Sequence, residues 1–310
     1  MMSIATLTLN PTIDVAYEVD HVFHTRKMRT LSEYYEPGGG GINVARVFVR
    51  LGGRARNYYL SGGATGHALD GLLDLHGLDR NRIPIKGHTR VASAVLERDS
   101  GKEYRFVPAG PTIAPEEWQS CLDQLAAAQC DYMVISGSLP PGVPDDFYGR
   151  VIDLMRLRDI PVILDSSGAG LRGGLDRGDL LLVKPSVGEL RQYSGRDLPD
   201  LAAISSAAMD IVEKGQARYV AVSMGHEGAF LATSERQVHL PALPIEARSA
   251  VGAGDSFLAA MVMALSQGWD IVDAFRFGIA GGAAAVMNPG HDLARPESIR
   301  LLYERVPLGT

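Results

Sequence analysis

The sequence predicts an α/β protein: a mostly parallel sheet covered on both faces by helices, with a small β-sheet projecting from it. Short apolar, β-branched runs (SIATLTL at 3–9, YMVISG at 132–137, PVILDSSG at 161–168, LLLVKP at 180–185, RYVAVSMG at 218–225) alternate with helix-length stretches at 115–129, 145–158 and 200–214. The runs are almost continuously apolar, as strands buried on both faces of a parallel sheet must be. Two segments, 15–36 and 90–107, break the alternation and read as extended.

Each element has its own justification. The strand-like runs end in polar or glycine-rich residues at 10–14, 136–142, 165–168, 184–189 and 223–228. In parallel α/β sheets ligands gather beyond those C-terminal ends. The stretch VASAVLERDSGKEYRFV (91–107) is two strands around an Asp-Ser-Gly-Lys turn, so 15–36 and 90–107 together form a small sheet inserted into one domain of 310 residues. Val15, Tyr17 and Val19, with Val91, Ser93 and Val95, alternate along it. That pattern predicts an apolar face, which a second copy of the chain would cover as a homodimer.

Composition narrows the class. The formal net charge is −6 and the pI about 5.8, which argues against a nucleic-acid binder. Two cysteines, Cys121 and Cys130, are too few for a disulfide framework or a structural zinc site and point to a reducing cytoplasm. No stretch reaches the roughly 18 apolar residues of a membrane span, and the N-terminus lacks the pattern of a signal peptide.

Two glycine-rich stretches carry chemistry. In PGGGGIN (37–43) four glycines open a helix pattern with Asn43 in its first turn. Backbone there can approach a ligand closely, and the helix mouth favours anions or hydroxyls. In VGAGDS (251–256) Gly252, Ala253 and Gly254 aim N–H groups at one spot, an anion hole for a transferring phosphoryl group. Asp255 beside them is placed to accept the proton of an attacking hydroxyl. An N-cap aspartate on an ordinary helix is the plainer reading of that residue.

GGGGINVAR and VGAGDS, some 210 residues apart, resemble the two signatures of the ribokinase-like PfkB family of sugar kinases. LTLNPTID, GGATG (62–66), ISGSLPPG (135–142), DSSG (165–168), VKPSVGEL (183–190) and SMGHEGA (223–229) follow in the family order, so the likeness spans about 3–295. It is strongest to the phosphosugar branch. The resemblance implies a ribokinase-like sheet with a β-lid, often a dimer contact, and ATP-dependent transfer to O1 of fructose 6-phosphate. Fructose 1-phosphate and tagatose 6-phosphate are alternatives.

The resemblance also implies roles. Asp14, Gly38, Gly39, Asn43 and Ser138 would hold the sugar. Arg90 and Arg105 would clamp its phosphate, since guanidinium forks suit phosphate, with Lys27 a further candidate. Lys184, Ser186, Glu189, Ser223, Gly225, Gly228, Ser249 and Val251 would face ATP. Glu189 would organise Mg²⁺ through water, although Ser186 stands where the family has asparagine. Carbonyls at Ser249, Val251, Ala285, Asn288, Gly290 and Asp292 would bind a monovalent cation such as K⁺. Two readings from other classes remain open: a non-catalytic sugar-phosphate sensor, and a dinucleotide oxidoreductase. The second lacks the Gly-x-Gly-x-x-Gly fingerprint, because LTLNPTID follows the first strand.

Overall fold

The structure, a computed structural model, describes residues 3–288 and 292–308. In chain order the elements are β1 (Ser3–Thr8), β2 (Thr12–Val19), β3 (Ser32–Gly38), α1 (Gly40–Arg50), β4 (Arg54–Gly62), α2 (Gly63–Leu75), β5 (Asp79–Ile85), β6 (Arg90–Glu97), β7 (Lys102–Phe106), α3 (Pro115–Ala126), β8 (Tyr132–Ser136), α4 (Phe147–Arg156) and β9 (Val162–Asp165). Then come α5 (Gly168–Arg177), β10 (Leu180–Val183), α6 (Val187–Ser194), α7 (Leu201–Glu213), β11 (Ala217–Ser223), β12 (Ala229–Ala232), β13 (Gln237–Leu240), α8 (Ala253–Ser266), α9 (Ile271–Val286) and α10 (Pro296–Tyr303).

Among the described residues the large sheet has nine strands in the order β13-β12-β11-β10-β9-β8-β1-β4-β5. Pairing is parallel from β11 through β5, and β12 and β13 add an antiparallel edge. The expected strands and helices all appear. Two apolar cores lie on its two faces. One packs Leu7, Ile135, Leu164 and Val183 with α3–α7, and the other packs Ile4, Val134, Ile163 and Leu182 with α1, α8 and α9. Adjacent strand residues feed opposite cores, which explains why these strands read as unbroken apolar runs.

The small sheet has the order β3-β2-β6-β7, so the two inserted segments do meet. One detail is corrected. The apolar face expected to be wet is largely covered within the chain: Val15 and Val19 are each 3% exposed. Ile13 and Val15 pack on Leu69, Leu73 and Leu78, with Tyr17 and Val91 beside them, over α2. The apolar surface left in water lies on the outer strands, at Tyr35, Tyr104 and Phe106 of the same face and at Tyr34 of the other. Alternation marks a face of a strand, but only the tertiary packing decides which face finds a cover.

Candidate active site

Asp255 lies in the first turn of α8, whose N-cap, Gly252, has φ 70°. That left-handed conformation suits glycine. It turns the chain so that the first N–H groups of the helix, which have no helical acceptor, point outward with the positive end of the helix dipole. Asn43, in the first turn of α1, donates from Nδ2 to Asp255 Oδ2 at 2.9 Å. The two glycine-rich motifs therefore converge, 212 residues apart, on one carboxylate.

Two charges stand behind it. Asp165 ends β9, and Lys184 follows β10; they form an ion pair at 3.1 Å with side chains 14% and 5% exposed. A Cβ added at Gly254 would sit 3.3 Å from Lys184 Nζ, so the ammonium faces the mouth of α8. Burial works against its charge, but Asp165, Asp255 and Glu189 outweigh this and hold its pKa above the usual range. Asp255 is pushed up to about 6 by enclosure in protein and by the negative charge of Asp165, with Asn43 and Lys184 pulling the other way. At pH 7 the carboxylate still predominates, as a proton acceptor needs.

The small sheet closes the opposite side. Asp14 on β2 lies directly over Gly38, where a Cβ would come within 2.0 Å of its Oδ2. Only glycine leaves that room. Register rows place Thr12 with Arg90, Asp14 with Ala92, and Ala16 with Ala94 and Arg105, so these side chains share one face. Three alanines thus floor the space between Asp14 and Arg105. Arg90 donates to the carbonyls of Asn10 (2.8 Å) and Pro108 (3.0 Å), while its buried Nε–H has no partner among the described residues. A buried donor left unpaired invites an acceptor. Arg105 is half-exposed, 3.6 Å from Glu103. Ser138 is half-buried in the loop after β8. Lys27 is different: it is exposed between β2 and β3 and makes no hydrogen bond or ion pair among the described residues.

On the other flank Ser186 caps α6. Glu189 N donates to its Oγ, and Ser186 N and Oγ donate to Glu189 Oε2 at 2.8 and 2.9 Å. Ser186 pairs with Ser223 at the end of β11. Gly225 opens a short turn closed by Gly228 N–H to Gly225 O at 3.2 Å. A cavity of about 670 Å³ borders this edge, lined by Ser186, Ser223, Met224 and Glu227 among others. Ser249 N–H reaches Val286 O at 3.2 Å, and Asn288 Nδ2 reaches the carbonyls of Asp292 (3.3 Å) and Leu293 (3.1 Å). The carboxylate of Asp292 pairs with Arg50 and Arg295. Val251 precedes the cap of α8 and Ala285 lies in the last turn of α9, whereas Gly290 is outside the described residues.

Two charged groups escaped the sequence reading: Asp165, present there only within DSSG, and Arg46, in the helix after the glycines. The Asp165–Lys184 pair was findable, since both residues stand at strand ends. Arg46 was not.

A sheet of this order, with a glycine-walled carboxylate at a helix mouth and a smaller sheet across from it, defines a ribokinase-like sugar kinase. The pfkB family carbohydrate kinase model matches residues 7–297, and the chain belongs to that family. It is 42% identical over 303 residues to the ATP-dependent 6-phosphofructokinase isozyme 2 of Mycobacterium tuberculosis, covering 97% of this chain and 89% of that one. The isozyme 2 of Escherichia coli is 36% identical, with 98% of each chain covered. A crystal structure of phosphofructokinase-2 from Escherichia coli with potassium superposes with a TM-score of 0.94 at 36% identity, covering 98% and 99%. That enzyme has also been solved with fructose 6-phosphate and in a tetrameric inhibited form.

Proposed function

We propose that the chain is an ATP-dependent 6-phosphofructokinase that phosphorylates O1 of fructose 6-phosphate. The observation that carries this reading is the alanine-floored face of the small sheet. It sets Asp14 against Arg90, with an unpaired buried donor, and Arg105. A free sugar needs no cations at its far end. A phosphosugar does.

Asp14 and the backbone at Gly38 and Gly39 hold the sugar hydroxyls, with Ser138 alongside. Asp255, oriented by Asn43, takes the proton of the attacking hydroxyl, and the amides at Gly252, Ala253 and Gly254 receive the transferred phosphoryl charge. Lys184 lies between the helix mouth and the nucleotide flank, which Ser186, Glu189, Ser223, Gly225, Gly228, Ser249 and Val251 line.

Mg²⁺ fits the donors present. Both bonds from Ser186 fall on Glu189 Oε2, which leaves Oε1 to hold a metal-bound water; Mg²⁺ keeps several waters in kinase sites. When bound, the metal neutralises charge on the nucleotide phosphates. A monovalent cation would sit at the corner of Ser249, Val251, Ala285, Asn288 and Asp292, where bonds from Ser249 N to Val286 O and from Asn288 Nδ2 to Asp292 O draw these segments together. Exposed Tyr34, Tyr35, Tyr104 and Phe106 on the outer strands of the small sheet support a homodimer through that lid. The thiols of Cys121 and Cys130, pushed by burial up to about 12 and about 11, stay protonated and suit a cytoplasmic setting.

Coupled assays with fructose 6-phosphate, fructose 1-phosphate and tagatose 6-phosphate test the reading. The highest kcat/KM is expected for the first. A higher value for fructose 1-phosphate would overturn it, and tight binding without turnover would favour a sensor.

A further inference from the structure

Arg46 is a guanidinium in the core. It lies one turn beyond Asn43 on α1 and is 3% exposed. A buried cation is tolerated only where its donors are met, and here they reach three elements. Nη2 pairs with Glu36 on β3 and lies 3.3 Å from His76 Nε2, just past α2. Nη1 donates to Pro37 O at 3.1 Å and faces Asn43 Oδ1 at 3.4 Å. Nε is buried without a partner among the described residues. Burial strains against the charges here, yet His76 and Arg46 hold the Glu36 carboxylate below its ordinary range.

A tether between β3 and the body needs only the pair with Glu36. The contact with Asn43 adds something else. A side-chain amide presents donors on one end and an acceptor on the other, and two orientations differ by a flip. With Nδ2 toward Asp255, Oδ1 faces the guanidinium and both ends meet a complementary charge. Flipped, the amide would set oxygen against carboxylate and NH₂ against guanidinium. At 3.4 Å the bond to Nη1 is long, so its force is mainly charge against dipole in a buried setting.

We infer that Arg46 is a positioning residue for the phosphoryl-transfer step: it locks the Asn43 amide so that its NH₂ serves Asp255, and it anchors the root of the small sheet to the same helix through Glu36 and Pro37. The inference rests on Asp255 being the base. Arg46 touches no reacting atom. It acts one side chain away, and it joins the Asp14–Gly38 side of the site to the α8 side through a single guanidinium.

The charged groups facing Asp255 are Asp165 from β9, Lys184 from β10 and Asp14 from β2, besides the Asn43 amide from α1. Those acting on Arg46 are Glu36, Arg50 and Asp292, with His76 beside its Nη2. Removing Arg46 leaves the first set in place, unpairs Glu36 and frees the Asn43 amide. Asp255 then loses a hydrogen bond that favours its ionised form, and the acid limb of the pH profile moves upward.

The test is a double-mutant cycle on the full-length enzyme with Arg46→Met, Asn43→Ala and the pair. Arg46→Met is expected to lower kcat about 10-fold, leave KM for ATP within about twofold, and raise the acid limb of kcat/KM by about half a pH unit. In the Asn43→Ala background the same change should cost less than about twofold, because the amide it acts through is gone. Should Arg46→Met fail to fold, Arg46→Lys carries the same cycle with a loss of about threefold, since an ammonium keeps the charge but not the fork. Additive losses, or an unmoved acid limb, overturn the positioning role. Asp255→Asn measured alongside keeps the two readings apart: if it abolishes turnover while the cycle is additive, the base stands and the inference falls. If Asp255→Asn stays active, the base reading itself has failed.

Discussion

The mouth of α8 and the small sheet face one another across the site but are built by opposite rules. Asp165 and Lys184 stand at the ends of strands that feed both apolar cores, and Asp255 at the start of a helix buried in one of them, so their positions are set by packing. Arg105 and the aromatic residues of β3 and β7 stand on strands with solvent beside them. The difference separates two tasks. Charge that must be aimed and strengthened belongs where dielectric is low and motion is small. Charge that must admit, recognise and release a phosphate belongs on a surface that can wet and close.

Substitution at the rigid side gives the largest expected effect. Asp255→Asn should lower kcat at least about 10²-fold with KM for ATP nearly unchanged, since proton acceptance is lost and binding is not. The native acid limb should fall near the carboxyl pKa of about 6: below it the base is protonated and the rate drops about tenfold per pH unit. A rate independent of pH between 5 and 7 would show that Asp255 does not act as base.

On the exposed side the effect should move from kcat to KM. Arg105→Ala is expected to raise KM for the phosphosugar about 10-fold or more, with KM for ATP within about twofold. Equal changes in both constants would place Arg105 outside the phosphate clamp and blur the division of labour. The aromatic edge supplies a weaker test of the same region. Phe106→Asp should shift the dimer toward a monomer in light scattering and lower activity severalfold, because an exposed apolar patch is exchanged for a charge. A native dimer that survives Phe106→Asp would mean the interface lies elsewhere.

How much was legible in the sequence follows the same division. Asp255 could be read because two glycines just before a lone acid at a helix mouth have few structural uses, and the alternating strands announced the sheet. The face of the small sheet was read rightly as apolar, but its cover was not, since Val15 and Tyr17 alternate identically whether water or α2 covers them. Arg46 was invisible for a related reason. An arginine seven residues into an amphipathic helix is usually solvated, and only the arrival of Glu36 and His76 from other segments shows that this one is buried. Periodicity reports which residues share a face. It does not report what arrives to cover it.

Ser186 tests the smallest difference, because it stands between the two rules. It borders the cavity proposed for the nucleotide, yet its hydroxyl is already engaged: it accepts from Glu189 N at 3.3 Å and donates to Glu189 Oε2 at 2.9 Å. A serine so engaged is first a helix cap. Ser186→Ala should therefore cost about 1 kcal/mol of stability, seen as a Tm lowered by roughly 1–3 °C. KM for ATP should rise less than about threefold, through the freed Glu189 carboxylate. Ser186→Asn keeps a capping oxygen, since asparagine caps helices as well as serine does, and should hold Tm near the native value. It would add amide donors toward the nucleotide, so KM for ATP should fall slightly. If Ser186→Ala instead raised KM for ATP tenfold with Tm unchanged, the hydroxyl would belong to the nucleotide and the capping role would be incidental.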